Sequence, residues 1–424
     1  MIKRLKQSEF IGSVATLASG TVIGHLVAIL FSPIITRLYT AEEMSYQSVF
    51  TRIVLFLSVI ATARFEFAFA LPKRMEHAYS LFRVSIKSLL FVLAITVLVV
   101  LLLQFYPFED KQINQLLLLV PLGVLVASFY SQLSNWALRL KDFKHIGRSK
   151  IMMSIAFGLV AIFLYPLGYF GIITAYICSF LAASLLLVRN FKTVKSSMKA
   201  YQLKGRDYAI AKNYLDFPRI NLPHALIDLS KELFIAFYMI MTFEKGVLGL
   251  YDLSFRMLRV PIAVIGSSIG QVFLKKAVDL RNEGKAIFPL LKKTMLLLFL
   301  VSIVPFSIIM FFGTDIFSLV FGKEWSEAGY YTQIMTPWVM VNFLISPVSQ
   351  VPIILNKQRG FFMLGIASTV LMVLTLTIGD IFPDWHLRFD QVLKVVSFTQ
   401  FLFLTFVIIW LLRLAKKQDK CVVY

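Results

Sequence analysis

Apolar stretches, each close to the roughly 20 residues a helix needs to cross a bilayer, recur along the chain between short polar segments. They lie at 10–36, 46–70, 86–105, 114–138, 151–168, 170–188, 220–242, 247–274, 294–312, 330–355, 361–378 and 391–412. A membrane barrel would instead show strands of about 10 alternating residues. The pattern predicts an all-α integral membrane protein with twelve transmembrane helices. Lys3, Arg4 and Lys6 precede the first stretch as they would in a signal peptide. That stretch is too long for a signal core and has no clear small-residue cleavage site, so it is expected to be retained as the first span.

Composition agrees, since 58% of the residues are hydrophobic, which excludes an ordinary soluble domain. The formal net charge of +20 could indicate a nucleic-acid partner if the basic residues formed one patch. Instead they alternate between loops, and no nucleic acid is expected. With the N-terminus in the cytoplasm, 32 of the 43 Lys and Arg fall in cytoplasmic segments and 5 on the opposite side. The bias toward cytoplasmic loops therefore places both termini in the cytoplasm. The longest basic loop, 189–219, divides the spans into two sets of six. This predicts an N-terminal six-helix lobe (1–190), a cytoplasmic linker (191–219) and a C-terminal six-helix lobe with a basic tail (220–424), the lobes enclosing a central cavity. A parallel repeat fits: "EEMSYQSVFTR" (42–52) and "EKGVLGLYDLSFRM" (244–257) align Tyr46, Phe50 and Arg52 with Tyr251, Phe255 and Arg256.

Ionisable residues inside spans cost roughly 2.5–3.5 kcal/mol each and by default face a partner or a wet cavity. The second span carries Arg52, Arg64 and Glu66, the seventh Asp228, Lys231 and Glu232, the eighth Asp252, Arg256 and Arg259, and the twelfth Lys394. Helical spacing lets Asp252 pair with Arg256 and Asp228 with Lys231. Glu66 is expected to reach the interface and Lys394 to snorkel. Arg256 and Arg259 share a helix face and have one nearby acid between them. Arg52 is expected about 9 Å from the outer end of its span, with Arg64 about 18 Å deeper. Cations lining a cavity imply an anionic substrate, and arginine suits bidentate phosphate recognition. The competing structural reading has these arginines binding carbonyls at helix breaks or anionic lipid headgroups, and many prolines offer such breaks.

No Walker A, G-x-S-x-G or paired metal-binding histidines occur, and no outer loop is long enough to assemble a catalytic site. The chain is expected not to be an enzyme and to need neither metal nor cofactor. Cys178 and Cys421 form no disulfide framework. The terminal "CVVY" is an accidental match to a prenylation box. His25, alone in the first span, is a candidate proton site, with Asp228 and Glu232 the acidic candidates for ion coupling.

The stretches "RFEFAFALPKRMEHA" (64–78), "SQLSNWALRLKDFKHIGRSKI" (131–151), "DFPRINLP" (216–223), "GLYDLSFRMLRVPIAVIGSSIGQVFLKKA" (249–277) and "FGKEWSEAGYYTQIMTPW" (321–338) resemble the bacterial polysaccharide transporters. This is the O-antigen and capsule flippase family of the multidrug/oligosaccharidyl-lipid/polysaccharide exporter superfamily. The resemblance implies alternating-access export of undecaprenyl-diphosphate-linked oligosaccharides across the bacterial inner membrane, for O-antigen, lipopolysaccharide or other surface polysaccharides. Membrane lipids, and the polymerase and chain-length regulator of the same pathway, are the implied partners. This implication and the reading of the charges converge on a cationic cavity for a lipid diphosphate. In it Arg256 and Arg259 are expected to engage the diphosphate, Arg52 and Arg64 to assist at different stages, and Tyr46, Tyr251 and Phe255 to contact sugar, with Lys231 a further candidate substrate-binding residue. The chain lacks the two further helices of the lipid II flippases and the acidic first-helix residue of many drug exporters. Competing readings are a cation-coupled multidrug exporter of the same fold and a membrane polymerase or glycosyltransferase of the same pathway.

Overall fold

A computed structural model describes residues 2–200, 207–382, 384 and 386–422. Residues 201–206 of the expected linker and the last two of "CVVY" lie outside the described residues. The described chain is helical with no strand. The helices are α1 (Ile2–Leu38), α2 (Ala41–Thr62), α3 (Met75–Leu103), α4 (Lys111–Arg139), α5 (Phe143–Phe163), α6 (Tyr169–Ala200), α7 (Asp207–Lys212) and α8 (Leu222–Thr242). They continue as α9 (Val247–Pro261), α10 (Ser267–Asn282), α11 (Phe288–Phe321), α12 (Ser326–Ile345), α13 (Val351–Ile354), α14 (Gln358–Leu376), α15 (Ile378–Ile381) and α16 (Phe389–Val422).

Among the described residues ten helices are long and apolar enough to span a membrane, against the twelve expected. The two shortfalls are expected spans 220–242 and 247–274, each of which carries three charged residues. Expected span 220–242 forms α8, whose 21 residues include Asp228, Lys231 and Glu232. Expected span 247–274 is interrupted: α9 stops at Pro261, and a π-helical turn, Ile262–Gly266, leads into α10. Proline lacks an N–H and its ring crowds the carbonyl four residues back, so the α-helical ladder cannot run through it unbroken.

The chain forms two compact units, Met1–Gly249 and Leu250–Tyr424. In the first, α1 lies along α5 with Gly20 against Gly147, Gly24 against the Lys150 carbonyl and Gly158 under the Phe31 ring. The constant offset makes the two helices parallel, and small residues there let the backbones touch, as membrane helix pairs require. α2 and α4 are also parallel: Gly123 faces Phe50 and Val54, and Trp136 packs on Phe69. At one end Trp136 is ringed by Phe69, Tyr79 and Phe82 at centroid distances of 5.9, 5.0 and 5.5 Å, and Ile210 and Ala211 of α7 complete this core. α7 is held there by Arg83, which reaches Asp207 at 2.6 Å. α8 packs along α2 and so belongs by its contacts to the first unit.

The second unit is built on α10, α11, α12 and α16, with Phe273, Leu291, Met295, Ile345, Val351 and Leu411 in its core. The α11 and α12 backbones meet at Gly313 and Gly329. Ser397 of α16 donates to the Ile334 carbonyl at 2.8 Å.

Candidate functional site

α2 starts with a capping box in which the Glu43 N–H donates to the Thr40 hydroxyl at 3.2 Å and the Thr40 N–H to the Glu43 carboxylate at 2.8 Å. The helix therefore begins five residues before the expected span. Arg52, expected near one end, sits about 16 Å along the helix, close to its middle. α8 runs antiparallel beside it: Lys245, just past its C-terminus, pairs with Glu42 at 3.3 Å, and Glu232, ten residues into α8, comes to Arg52. The Arg52 Nη2 lies 4.0 Å from the Glu232 Oε2, and Lys231 Nζ lies 3.9 Å from the other carboxylate oxygen. The Arg52 guanidinium also donates to the Ser48 hydroxyl and, at 3.4 Å, to the Ser48 carbonyl. Arg52 and Lys231 side chains retain only 16% and 27% of their exposure. Two cations and the Glu232 carboxylate thus meet at mid-helix.

The expected Asp228–Lys231 pair is not what forms. Lys231 faces Glu232, while Asp228 lies 4.0 Å from His224 one turn earlier. Arg64 is not deeper on the same helix as Arg52. α2 ends at Thr62, Ala63 and Arg64 take left-handed conformations (φ 47° and 61°), and a 3-10 turn, Phe65–Ala70, follows. The Arg64 guanidinium lies over Phe67, 4.6 Å from the ring centroid. Glu66, expected to reach the interface, lies in the 3-10 turn and is buried. Tyr46 is buried at the N-terminal end of α2, donating to Asp110 at 2.8 Å and to Glu42 at 3.2 Å. His25 is exposed on α1.

In the second unit, α9 carries an aromatic column. Phe255 stacks on Tyr251 (5.7 Å, 10°) and on Trp338 (5.6 Å, 24°), and Phe389 meets Tyr251 edge-on at 6.1 Å. Arg259 lies over Phe255 with its guanidinium carbon 5.1 Å from the ring centroid. The column fixes a guanidinium by cation–π attraction. Tyr251, Trp338 and Phe389 are buried, so in this conformation they support Arg259 and leave Phe255 as the partly open ring. Arg256 is exposed on the same helix, and both it and Asp252 have interaction partners. Sequence reasoning missed Trp338 and Phe389, which come from α12 and α16. The one available signal was Trp338's place in the family-like stretch 321–338. Among the described residues no cluster of three metal-binding side chains occurs.

No curated protein matches the sequence. The chain is similar in structure to a lipid II flippase MurJ in an inward closed conformation, with a TM-score of 0.64 and 14% identity over 94% of this chain and 87% of that one. It is also similar to a multidrug resistance MATE family transporter of the MOP superfamily in an inward-facing conformation (TM-score 0.62, 12% identity, 97% and 98% coverage). A mutant of the Vibrio cholerae MATE transporter VcmN gives a TM-score of 0.58 at 12% identity over 98% and 99% of the two chains. At such identities these likenesses establish the fold. The sequence profile of the polysaccharide biosynthesis proteins matches residues 34–329, more than half of the chain, and the protein belongs to that family.

Proposed function

We propose that the protein is a flippase that carries an undecaprenyl-diphosphate-linked oligosaccharide from the cytoplasmic to the outer leaflet of the bacterial inner membrane by alternating access. It would supply O-antigen or another surface polysaccharide. The observation that carries the proposal is the mid-helix meeting of Arg52 and Lys231 around the Glu232 carboxylate. Arg52 and Lys231 are both largely withdrawn from solvent and converge on one carboxylate, and a diphosphate matches arginine's fixed fork of donors. Arg259, braced on Phe255, and the exposed Arg256 offer a second set of phosphate ligands on α9. Membership of a polysaccharide biosynthesis family and a fold shared with a lipid II flippase support the same substrate class. His25 and Asp228 remain the proposed ion-coupling groups.

The test is transport of a fluorescent polyprenyl-diphosphate oligosaccharide in proteoliposomes. Loss of one charge-assisted contact, worth about 1.5–3 kcal/mol, should weaken substrate affinity about 10- to 100-fold in Arg52→Ala, and the Arg256→Ala, Arg259→Ala double variant, which loses two, should bind at least as weakly. Wild-type-like transport by normally inserted variants would remove these arginines from the mechanism. A second reading, drug export, is favoured by the likeness to MATE transporters. It requires gradient-driven movement of a cationic dye by wild-type protein. Turnover of lipid-linked sugar into a longer or cleaved product would instead identify a polymerase or glycosyltransferase.

A further inference from the structure

Two ion pairs of the first unit have contrasting geometry. Arg83 grips Asp207 through Nε at 3.1 and 3.0 Å and through Nη2 at 2.6 Å, with both side chains 17% exposed. That is a hydrogen-bonded, bidentate, structural pair. Glu232 lies 4.0 Å from Arg52 and 3.9 Å from Lys231, beyond hydrogen-bond length from either, and keeps 40% of its exposure. Its two oxygens each face a different cation. The carboxylate therefore sits where an incoming dianion would sit, and it is held loosely enough to be exchanged.

We infer that Glu232 is an intramolecular placeholder: it occupies the Arg52–Lys231 anion site at rest and is displaced by the diphosphate. This rests on the diphosphate reading and deepens it. A carboxylate in that position lies against both partly desolvated cations when no substrate is bound. It also sets the affinity of the site, because every arriving anion must first outcompete it, and its return favours release. Glu232 is then a positioning and affinity-setting residue that acts through Arg52 and Lys231.

A double-mutant cycle tests this. Full-length wild type, Glu232→Gln, Arg52→Ala and the double variant are titrated in detergent with inorganic pyrophosphate in one arm and farnesyl diphosphate in the other. Removing a loose, partly exposed competitor should tighten binding about two- to fivefold, and the gain should vanish when Arg52 is Ala. Equal gains in both arms assign the site to the headgroup alone, whereas a gain confined to farnesyl diphosphate assigns it to a lipid-borne diphosphate, and both sustain the placeholder. Unchanged or weaker binding by Glu232→Gln, or a gain that survives without Arg52, overturns it. If Glu232→Gln fails to fold, Glu232→Asp, one methylene shorter, should show a smaller gain of the same sign, and no gain overturns the inference. Wild-type protein that binds neither probe overturns the diphosphate reading itself, and the placeholder with it.

Discussion

Asp207 shows what one side chain fixes in this molecule. Burial pushes its carboxyl up, but hydrogen bonds from Arg83 and Ser80 and the charges of Arg83 and Lys87 outweigh that and hold it below the usual carboxylate range. Its contribution to folding is therefore complete above the unfolded value near 4 and is lost as pH falls through the lower folded value. Hydrogen exchange of the α7 amides should show protection falling in that acid window. Asp207→Asn should abolish the pH dependence and weaken the attachment of α7 by about 1.5–3 kcal/mol. None of this was legible in the sequence, where Arg83 and Asp207 stand 124 residues apart. The charges at Arg52, Lys231 and Glu232 were legible, because each interrupts an apolar run. Which acid meets which base was not: helical spacing suggested Asp228 for Lys231, but proximity between α2 and α8 makes Glu232 the shared partner.

At the scale of elements, the apolar stretches located nearly every long helix, because hydrophobic length is a constraint each span must satisfy alone. Ends and interruptions were less visible. The capping box at Thr40 and Glu43 moved Arg52 to mid-helix, and nothing in "ATARFEF" announces the left-handed pair at Ala63 and Arg64, since neither is glycine. Helix contacts yield a direct prediction. A Cβ on Gly20 would overlap the Gly147 backbone, whereas one on Gly365 meets nothing within 4 Å. Gly20→Ala should destabilise the protein by about 1–3 kcal/mol, read as a lowered unfolding temperature in detergent. Gly365→Ala should leave that temperature unchanged.

For the whole chain, the Lys and Arg asymmetry makes a prediction about sidedness. In a background lacking Cys178 and Cys421, a cysteine replacing Lys141 should resist a membrane-impermeant maleimide in intact cells, and one replacing Lys323 should react. Both positions are exposed in the structure. The reverse labelling would invert the topology and the proposed direction of transport.

The π-helical turn at Ile262–Gly266 has a consequence for helical phase. A π turn closes over one residue more than an α turn, so it behaves as a one-residue insertion absorbed without breaking the rod. Everything downstream is thereby rotated by about 100° relative to an uninterrupted helix, and it is in this phase that Phe273 and Ala277 of α10 reach the core. Deleting one of those five residues would let the ladder close as plain α-helix and turn α10 more than a quarter of the way round. Its buried stripe would then face away from the core of the second unit. The extra residue beside Pro261 is thus a register element that sets which face of α10 the second unit buries.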